Sequence, residues 1–250
     1  VIACEDTRVT GKLKSEFGLT AQLIPYHEHN ADRATPALIE RLNSGETVAL
    51  VSDAGTPLVS DPGYRLVNAA LNSDIKVIPV PGASAPLAAL SVSGLPTDRF
   101  MFEGFLPNKS AARRKALGQA ATVQATLVFF ESAKRLAKSL TDMADLLGNR
   151  DAVIAREITK RFEEMTRGSL GSLAAQFETA PAPKGEVTIV VGPPGETAAP
   201  SEVEIDGLLQ EALIRLSVKD AASAVASSTG LPRRPLYQRA LQLQSEDGVG

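Results

Sequence analysis

The chain has 250 residues, of which 44% are hydrophobic and 22% are charged, and its formal net charge is −3. This composition can bury a sizeable core, and no run approaches the roughly 18 consecutive apolar residues of a membrane-spanning helix, so membrane insertion and whole-chain disorder are excluded. A single cysteine, Cys4, excludes an internal disulfide and a multi-cysteine metal site and indicates the reducing cytoplasm, and an aromatic content of 4% argues against an aromatic platform that stacks nucleobases.

Short β-branched runs alternate with longer amphipathic stretches, which predicts βα units around a largely parallel sheet. The predicted strands cover residues 1–4, 47–51, 76–80, 126–130, 152–155 and 187–191. The predicted helices cover residues 33–43, 64–72, 86–93, 110–120, 133–147 and 170–177. The fold class is therefore α/β.

Two breaks in this pattern divide the chain. An apolar, turn-rich segment at residues 96–107 is suited to join two lobes, and the Gly- and Pro-rich stretch from Gly192 to Pro200 is typical of a linker. Helices are predicted beyond it at 203–216 and 218–228, and a third ends near residue 243. We predict an N-terminal α/β lobe at 1–95, a second α/β lobe at 96–195 and a small basic helical module at 196–250.

The densest motif is Ser-Asp-Ala-Gly-Thr-Pro at residues 52–57, directly after an apolar strand. Small residues at a strand's carboxyl end let the backbone approach a ligand, and Asp53 and Thr56 could accept and donate hydrogen bonds there. A tight turn with an aspartate cap explains the same residues. Small residues recur at 79–86, where Ser84 precedes a helix, and this recurrence favours a binding edge.

Charged residues follow three other predicted strands. They are Glu5 and Asp6 after the first strand, Glu131 after the fourth, and Arg156, Glu157 and Lys160 after the fifth. Helix capping by Asp6 or Thr7 and a structural ion-pair group around Glu157 are the alternatives to a site. The convergence of several polar strand ends predicts one crevice at the edge of the sheet.

No metal site is predicted, because His27 and His29 share one face of an extended segment without a clear third ligand. Neither the G-x-G-x-x-G dinucleotide motif nor the phosphate-binding loop of P-loop enzymes is present, which argues against both classes. Cys4 lies within the first predicted strand and is expected to be a buried small hydrophobe.

Two basic clusters could contact phosphates. They are Lys109, Arg113, Arg114 and Lys115 at the start of one predicted helix, and Arg233, Arg234 and Arg239 near the C-terminus. Such clusters are also common as solvated surface. The C-terminal helices weakly suggest a helix-turn-helix module, and small helical caps give the same pattern.

Several strings together carry a family resemblance. They are Cys-Glu-Asp-Thr-Arg at 4–8, Leu-Val-Ser-Asp-Ala-Gly-Thr-Pro at 50–57, Asp-Pro-Gly-Tyr at 61–64, Gly-Leu-Pro-Thr-Asp-Arg-Phe at 94–100, Glu-Gly-Phe-Leu-Pro at 103–107, Phe-Glu-Ser at 130–132 with Arg135, and Ala-Arg-Glu-Ile-Thr-Lys at 155–160. The chain resembles the tetrapyrrole methylase superfamily over nearly its whole length, and within it the enzymes that methylate small-subunit ribosomal RNA.

The resemblance implies an S-adenosylmethionine-dependent enzyme that methylates the ribose 2′-hydroxyl of a cytidine in 16S ribosomal RNA, with naked RNA or the 30S subunit as substrate. It also implies two α/β lobes with the methyl donor in the cleft between them, a homodimer, and a cytoplasmic enzyme without membrane or metal. By position, the residues facing the donor would be Ala54, Gly55, Thr56, Ser84, Ala85, Phe130, Glu131, Arg156, Glu157, Thr188 and Ile189. The family begins with a further strand and a Pro-Ile-Gly-Asn type loop, so we expect a segment ahead of Val1.

The roles of individual residues and the function itself remain open within this resemblance. Asp53, Glu157 or the pair of Glu5 and Asp6 could supply the polar environment that helps the ribose hydroxyl lose its proton, and Lys160 could orient phosphate or ribose. A tetrapyrrole precursor methylase is one alternative, although such enzymes usually carry a Gly-Gly-Asp-Pro type turn where this chain has the motif at 52–57. A non-catalytic RNA-binding or ribosome-assembly factor is the other.

Overall fold

The structure is a computed structural model that describes residues 1–195, 201–229 and 231–247, with side chains described as far as residue 244. Residues 196–200, which belong to the predicted linker, lie outside the described residues, as do 230 and 248–250 of the predicted module. The chain divides into two compact units, Val1–Pro193 and Pro194–Gly250. Each unit is described by itself.

Strands and helices alternate through the first unit. The strands are β1 (Ile2–Cys4), β2 (Leu23–Pro25), β3 (Ala49–Val51), β4 (Phe100–Phe105), β5 (Thr126–Ser132), β6 (Asp151–Arg156), β7 (Glu164–Ser169) and β8 (Glu186–Val191). The helices are α1 (Thr7–Glu16), α2 (Ala31–Asn43), α3 (Tyr64–Asn72), α4 (Ala85–Ser93), α5 (Ser110–Ala120), α6 (Leu136–Leu147) and α7 (Leu170–Thr179), and the second unit contains α8 (Glu202–Leu213), α9 (Val218–Thr229) and α10 (Arg233–Asp247).

The first sheet is parallel, with strand order β2-β1-β3. Its core is built around the buried side chains of Tyr26, Leu38 and Leu66. Cys4 is fully buried in β1, as predicted, and burial raises the pKa of its thiol. Because the strands are parallel, their carboxyl ends and the loops that follow them lie at one edge of the sheet.

The second sheet has the order β4-β5-β8-β6-β7, and only the pair β4 and β5 is parallel. The prediction of a largely parallel sheet is therefore wrong for this half of the chain. The cause is the short connection between β6 and β7, since strands joined by a hairpin must run antiparallel. Neither β4 nor β7 was predicted as a strand.

Alternation along the second sheet separates two apolar faces. Leu127, Phe129 and Ile189 face a core shared with α6 and α7. Val128 and Val190 face the opposite way, against Ala89 and Leu90 of α4. Helix α4, which precedes the second sheet in the chain, therefore packs against one face of that sheet.

The predicted strand at 76–80 does not form in the structure, in which these residues have no regular secondary structure and lie outside both sheets. Its apolar side chains are exposed, with Ile78 at 66% and Val80 at 87%. Apolar β-branched residues favour a strand, but a strand also needs a hydrogen-bonded neighbour, and this segment has none among the described residues. Strand β2 and helix α1 also form without having been predicted.

In the second unit, α8, α9 and α10 pack around Leu209, Val225 and Leu236. Ser201 and Glu204 form a capping box that starts α8. Arg239 of α10 donates to Asp206 of α8, with a closest distance of 2.5 Å. Among the described residues, no helix is both long enough and apolar enough to cross a bilayer.

Candidate active site

An acidic crevice lies where the loops after β1, β2 and β3 meet. It consists of two cavities of about 460 and about 360 Å³, and both are lined by Glu5 and His27. The larger is also lined by Asp6 and Asp53, and the smaller by Asp61. Both volumes are within the range of small-molecule sites. The structure thus brings together three of the predicted residues, Glu5, Asp6 and Asp53.

Asp6 has a structural role within this crevice. It caps α1 by accepting from the amide of Arg8, and the Arg8 guanidinium lies 2.6 Å from its carboxylate. The hydrogen bonds from Arg8 lower the pKa of Asp6 to about 2. A carboxylate with so low a pKa is a weak proton acceptor, so Asp6 is a poor candidate for the general base. Its own amide donates to Asp53 at 3.2 Å, which orients that carboxylate.

Asp61 belongs to the Asp-Pro-Gly-Tyr string at 61–64, but it was not predicted as a catalytic residue. Burial raises the pKa of its carboxyl group, the charges of Glu5, Asp53 and Glu186 raise it further, and a hydrogen bond from Ser52 opposes the rise. The signal that could have identified Asp61 is its position in an acidic loop after an apolar strand. A raised pKa suits a carboxylate that must accept a proton near neutral pH.

The loop that carries Asp61 has an uncommon backbone. Leu58 and Ser60 have φ of 73° and 63°, in the left-handed region that non-glycine residues rarely occupy. Gly63, which ends the loop and precedes α3, has φ of 142°. Such conformations persist only where surrounding contacts hold them, and they concentrate at functional sites.

The turn at 53–56 and the loop at 82–84 lie side by side, because the Thr56 hydroxyl donates to the Ala83 carbonyl at 2.9 Å. Gly55 has a φ of 73°, a backbone conformation in which a residue with a side chain would be strained. Ser84 occupies the N-cap of α4, but its hydroxyl makes no capping hydrogen bond. Two predicted donor-binding segments therefore form one surface of small residues.

His27 is a second residue that sequence reasoning did not assign to the site. It lines both cavities, and its Nδ1 atom is buried without a hydrogen-bond partner among the described residues. A buried imidazole nitrogen without a partner is one that a ligand can satisfy. No group of three His, Cys, Asp or Glu side chains in the described part of the chain is arranged to hold a metal ion.

The structure places Glu131 and Ile189 in the core. Glu131 is 1% exposed, and its carboxylate accepts from Ser139 at 2.5 Å and from Arg135 at 2.9 Å. Ile189 is fully buried in the core shared with α6 and α7. Both lie on the face away from α4, because adjacent residues of a strand point to opposite faces. The expectation that they face a donor is therefore wrong.

Phe130 and Thr188 are paired across β5 and β8 and lie on the face toward α4. The Phe130 ring contacts those of Phe102 and Phe105, with centroids 5.0 and 5.4 Å apart. Phe130 is partly exposed, whereas Thr188 is only 3% exposed. Phe130 is thus the more accessible of the two predicted positions.

Glu157 and Lys160 belong to one ion-pair network with Glu186. The Lys160 amino group lies 3.0 Å from Glu157 and 2.6 Å from Glu186. The backbone amide of Glu186 and the Lys160 amine lower the pKa of Glu157, and the Glu186 carboxylate raises that of Lys160. Arg156 pairs with Glu164 at 2.9 Å. A carboxylate so stabilised in its charged form is a weak proton acceptor, so Glu157 is a poor candidate for the general base. The expected role of Lys160 in orienting phosphate or ribose stays a prediction.

The predicted basic cluster at the start of α5 is partly buried. Arg113 is 5% exposed and pairs with Asp142, so its prediction as a phosphate contact is wrong. Arg114 pairs with Asp142 and Asp145. The remaining predicted RNA contacts are exposed, and they are Lys109, Lys115, Arg233 and Arg234. Residues 196–250 contain five Lys and Arg against eight Asp and Glu, so the C-terminal module is basic only at the start of α10.

Replacing Gly63 by alanine is expected to destabilise the protein by about 1–3 kcal/mol. The new Cβ would lie 2.7 Å from Leu50 and 2.8 Å from Leu58, in a backbone conformation that L residues rarely adopt. The control is Gly118→Ala in α5, where nothing lies within 4 Å of the new Cβ and a small gain in stability is expected. Urea unfolding measures both, and equal stabilities would contradict the prediction.

Comparison with known proteins places the whole chain in one family. The family model described as Tetrapyrrole (Corrin/Porphyrin) Methylases matches residues 1–174, and the one described as RsmI C-terminal HTH domain matches residues 199–244. Ribosomal RNA small subunit methyltransferase I of Mesorhizobium japonicum is 50% identical and covers 100% of this chain and 85% of its own length. The protein of that name from Escherichia coli O157:H7 is 43% identical, and the match covers 98% of this chain and 86% of that protein.

Among solved structures, diphthine synthase matches with a TM-score of 0.55 at 17% identity over 73% of each chain, which supports the fold alone. The predicted resemblance and fold class are confirmed. The chain belongs to the tetrapyrrole methylase family and, within it, to the ribosomal RNA small subunit methyltransferase I group.

Proposed function

We propose that this protein transfers a methyl group from S-adenosylmethionine to the ribose 2′-hydroxyl of a cytidine in small-subunit ribosomal RNA. The observation that carries the proposal is an acidic crevice with a half-buried carboxylate, Asp61, in a chain whose full-length relatives are named as methyltransferases of that RNA. The lobes at 1–95 and 96–195 and the module at 196–250 are proposed as its domains.

The residues present fit a molecule with the chemistry of S-adenosylmethionine. Carboxylates of Glu5 and Asp53 suit its cationic groups and its ribose hydroxyls, and the unpartnered His27 nitrogen offers a further polar contact. We propose that the donor is held by the surface of small residues, with Phe130 opposite. The small residues are Ala54, Gly55, Thr56, Ser84 and Ala85. Bound S-adenosylmethionine would supply an electrophilic methyl carbon whose sulfur leaves as a neutral thioether.

In the proposed mechanism, Asp61 accepts the proton of the 2′-hydroxyl as the oxygen forms its bond to carbon. Neighbouring carboxylates and burial make Asp61 a stronger base than an ordinary aspartate. Asp53, held by the Asp6 amide, and Glu5 keep the crevice negative and thereby favour uptake of the proton. The protein's main contribution is the orientation of nucleophile and methyl carbon relative to each other.

RNA contacts are proposed at the exposed basic residues Lys109, Lys115, Arg233 and Arg234, with weaker participation of Arg114. The cytoplasm, where small subunits are assembled, is the proposed location. A homodimer is proposed from the family resemblance, and sedimentation of the purified protein tests it.

The test is methyl transfer from radiolabelled S-adenosylmethionine by the full-length protein as its gene encodes it. Its substrates are 30S subunits that lack the modification, naked 16S RNA, and a tetrapyrrole precursor. We expect label in RNA, within a cytidine ribose, and none in the tetrapyrrole. Label in the tetrapyrrole alone would indicate a precursor methylase, and donor binding without transfer to any substrate would indicate a non-catalytic RNA-binding factor. Either result would contradict the proposal.

A further inference from the structure

The hairpin loop between β6 and β7 carries an exposed aromatic ring beside two cations. Phe162 is 65% exposed, and the Arg161 guanidinium lies over its ring at 5.5 Å from the centroid. Lys160 precedes them. Exposed apolar side chains that stand singly are common on protein surfaces, and what sets Phe162 apart is the guanidinium on its ring.

The loop is held in a defined conformation by its own hydrogen bonds. Glu157 and Thr159 have φ of 49° and 64°, a region where a β-branched residue such as threonine is rare. The Thr159 amide donates to the Glu163 carboxylate at 2.7 Å, and Ile158 is anchored in the apolar face against α4. A strained and anchored loop indicates that the position of its tip matters.

The carboxylates around the loop already have partners. Glu157 and Glu186 accept from Lys160, Glu163 accepts from the Thr159 amide, and Glu164 pairs with Arg156. Within the described part of the chain, Arg161 forms no salt bridge, so its charge is available to a ligand. An exposed ring with a free guanidinium on it matches single-stranded nucleic acid, since bases stack on aromatic rings and arginine contacts their phosphates.

The base of the loop lies within electrostatic range of the acidic crevice. Lys160 contacts Glu186 at 2.6 Å, and the charge of Glu186 acts on Asp61, which lines the smaller cavity. A nucleotide adjacent to one in the crevice could therefore reach the loop. Resting on the proposed function, we propose that Phe162 stacks on an unpaired base of the substrate RNA while Arg161 contacts its phosphate. Phe162 would be one exception to the expectation that the chain has no aromatic platform for stacking nucleobases.

The test compares Phe162→Leu, which removes the ring, with Phe162→Tyr, which keeps it. The control is Phe17→Leu, because Phe17 is 69% exposed at the far end of α1. We expect Phe162→Leu to raise the KM for unmodified 30S subunits about tenfold, with kcat and the Kd of S-adenosylmethionine within twofold of wild type. Phe162→Tyr and Phe17→Leu should stay within twofold throughout.

Binding to a single-stranded RNA oligonucleotide is measured in parallel and should weaken about tenfold in Phe162→Leu alone. If wild type fails to methylate, the proposed function fails, and the oligonucleotide measurement still decides this inference. Equal losses in Phe162→Leu and Phe162→Tyr would overturn the stacking role. A KM effect on 30S subunits without any change in oligonucleotide binding would also overturn it, because a ribosomal protein would then be the partner.

Discussion

Asp61→Asn is expected to lower kcat for RNA methylation by about 10²- to 10⁴-fold, because an amide cannot accept the proton of the ribose hydroxyl. Asparagine keeps the shape of the side chain, so the donor Kd and the urea midpoint should change little. The measurement is single-turnover methyl transfer at saturating donor and 30S subunits. Asp74→Asn is the matched control, since Asp74 is an exposed aspartate beyond the end of α3.

The pH dependence of the wild-type enzyme follows from the same residue. Burial and neighbouring carboxylates raise the pKa of Asp61, so its basic form is lost at a higher pH than for an ordinary aspartate. We expect kcat to fall as pH decreases through that raised pKa and to be constant above it. A kcat in Asp61→Asn within threefold of wild type, with an unchanged pH profile, would remove Asp61 from the mechanism.

Asp142→Ala is expected to destabilise the first unit by about 3–5 kcal/mol. The Arg113 and Asp142 side chains are only 7% and 11% exposed and lie 2.6 Å apart, so removing the carboxylate leaves a buried guanidinium without its partner. Urea unfolding measures the change. The control is Asp145→Ala, whose side chain is 54% exposed and shares Arg114, and which should change stability by less than about 1 kcal/mol.

Two further results are expected at this pair. The double variant Arg113→Met with Asp142→Leu should recover most of the lost stability, because no buried charge remains. Burial would raise the pKa of Asp142, but hydrogen bonds from Arg114 and Arg113 outweigh it and lower the pKa. The stability that this lowered pKa provides is present above the unfolded value of about 3.9 and is lost as pH falls through the folded value. A loss below about 1 kcal/mol in Asp142→Ala would contradict this account.

Elements that depend on local pattern were predictable from the sequence. Helix α5 has the predicted bounds, and the strands β1, β3, β5, β6 and β8 form within a few residues of the predicted ranges. The segment at 76–80 shows the limit of such reasoning, because its β-branched residues favour a strand whose hydrogen-bonded neighbour no local pattern reveals. The antiparallel pairing in the second sheet likewise depends on which strands become neighbours.

The candidate site was predictable where loops follow strands, as at Glu5 and Asp53. Predictions of site residues failed where they depended on the direction in which a side chain points. Strand alternation alone implies that Phe130 and Glu131 cannot both face a cleft, whereas the pairing of Arg113 with Asp142, 29 residues further along, leaves no trace in local sequence. Asp61 was identified as a candidate base only from its burial and its neighbouring carboxylates in the folded chain.

The most direct test of the central claim is mass spectrometry of nucleosides from 30S subunits treated with wild type or Asp61→Asn. The account predicts a methylated cytidine whose extra mass stays with the ribose after the glycosidic bond is cleaved, formed by wild type and nearly absent with the variant. A methyl group that stays with the base, or equal amounts of product from both proteins, would contradict it.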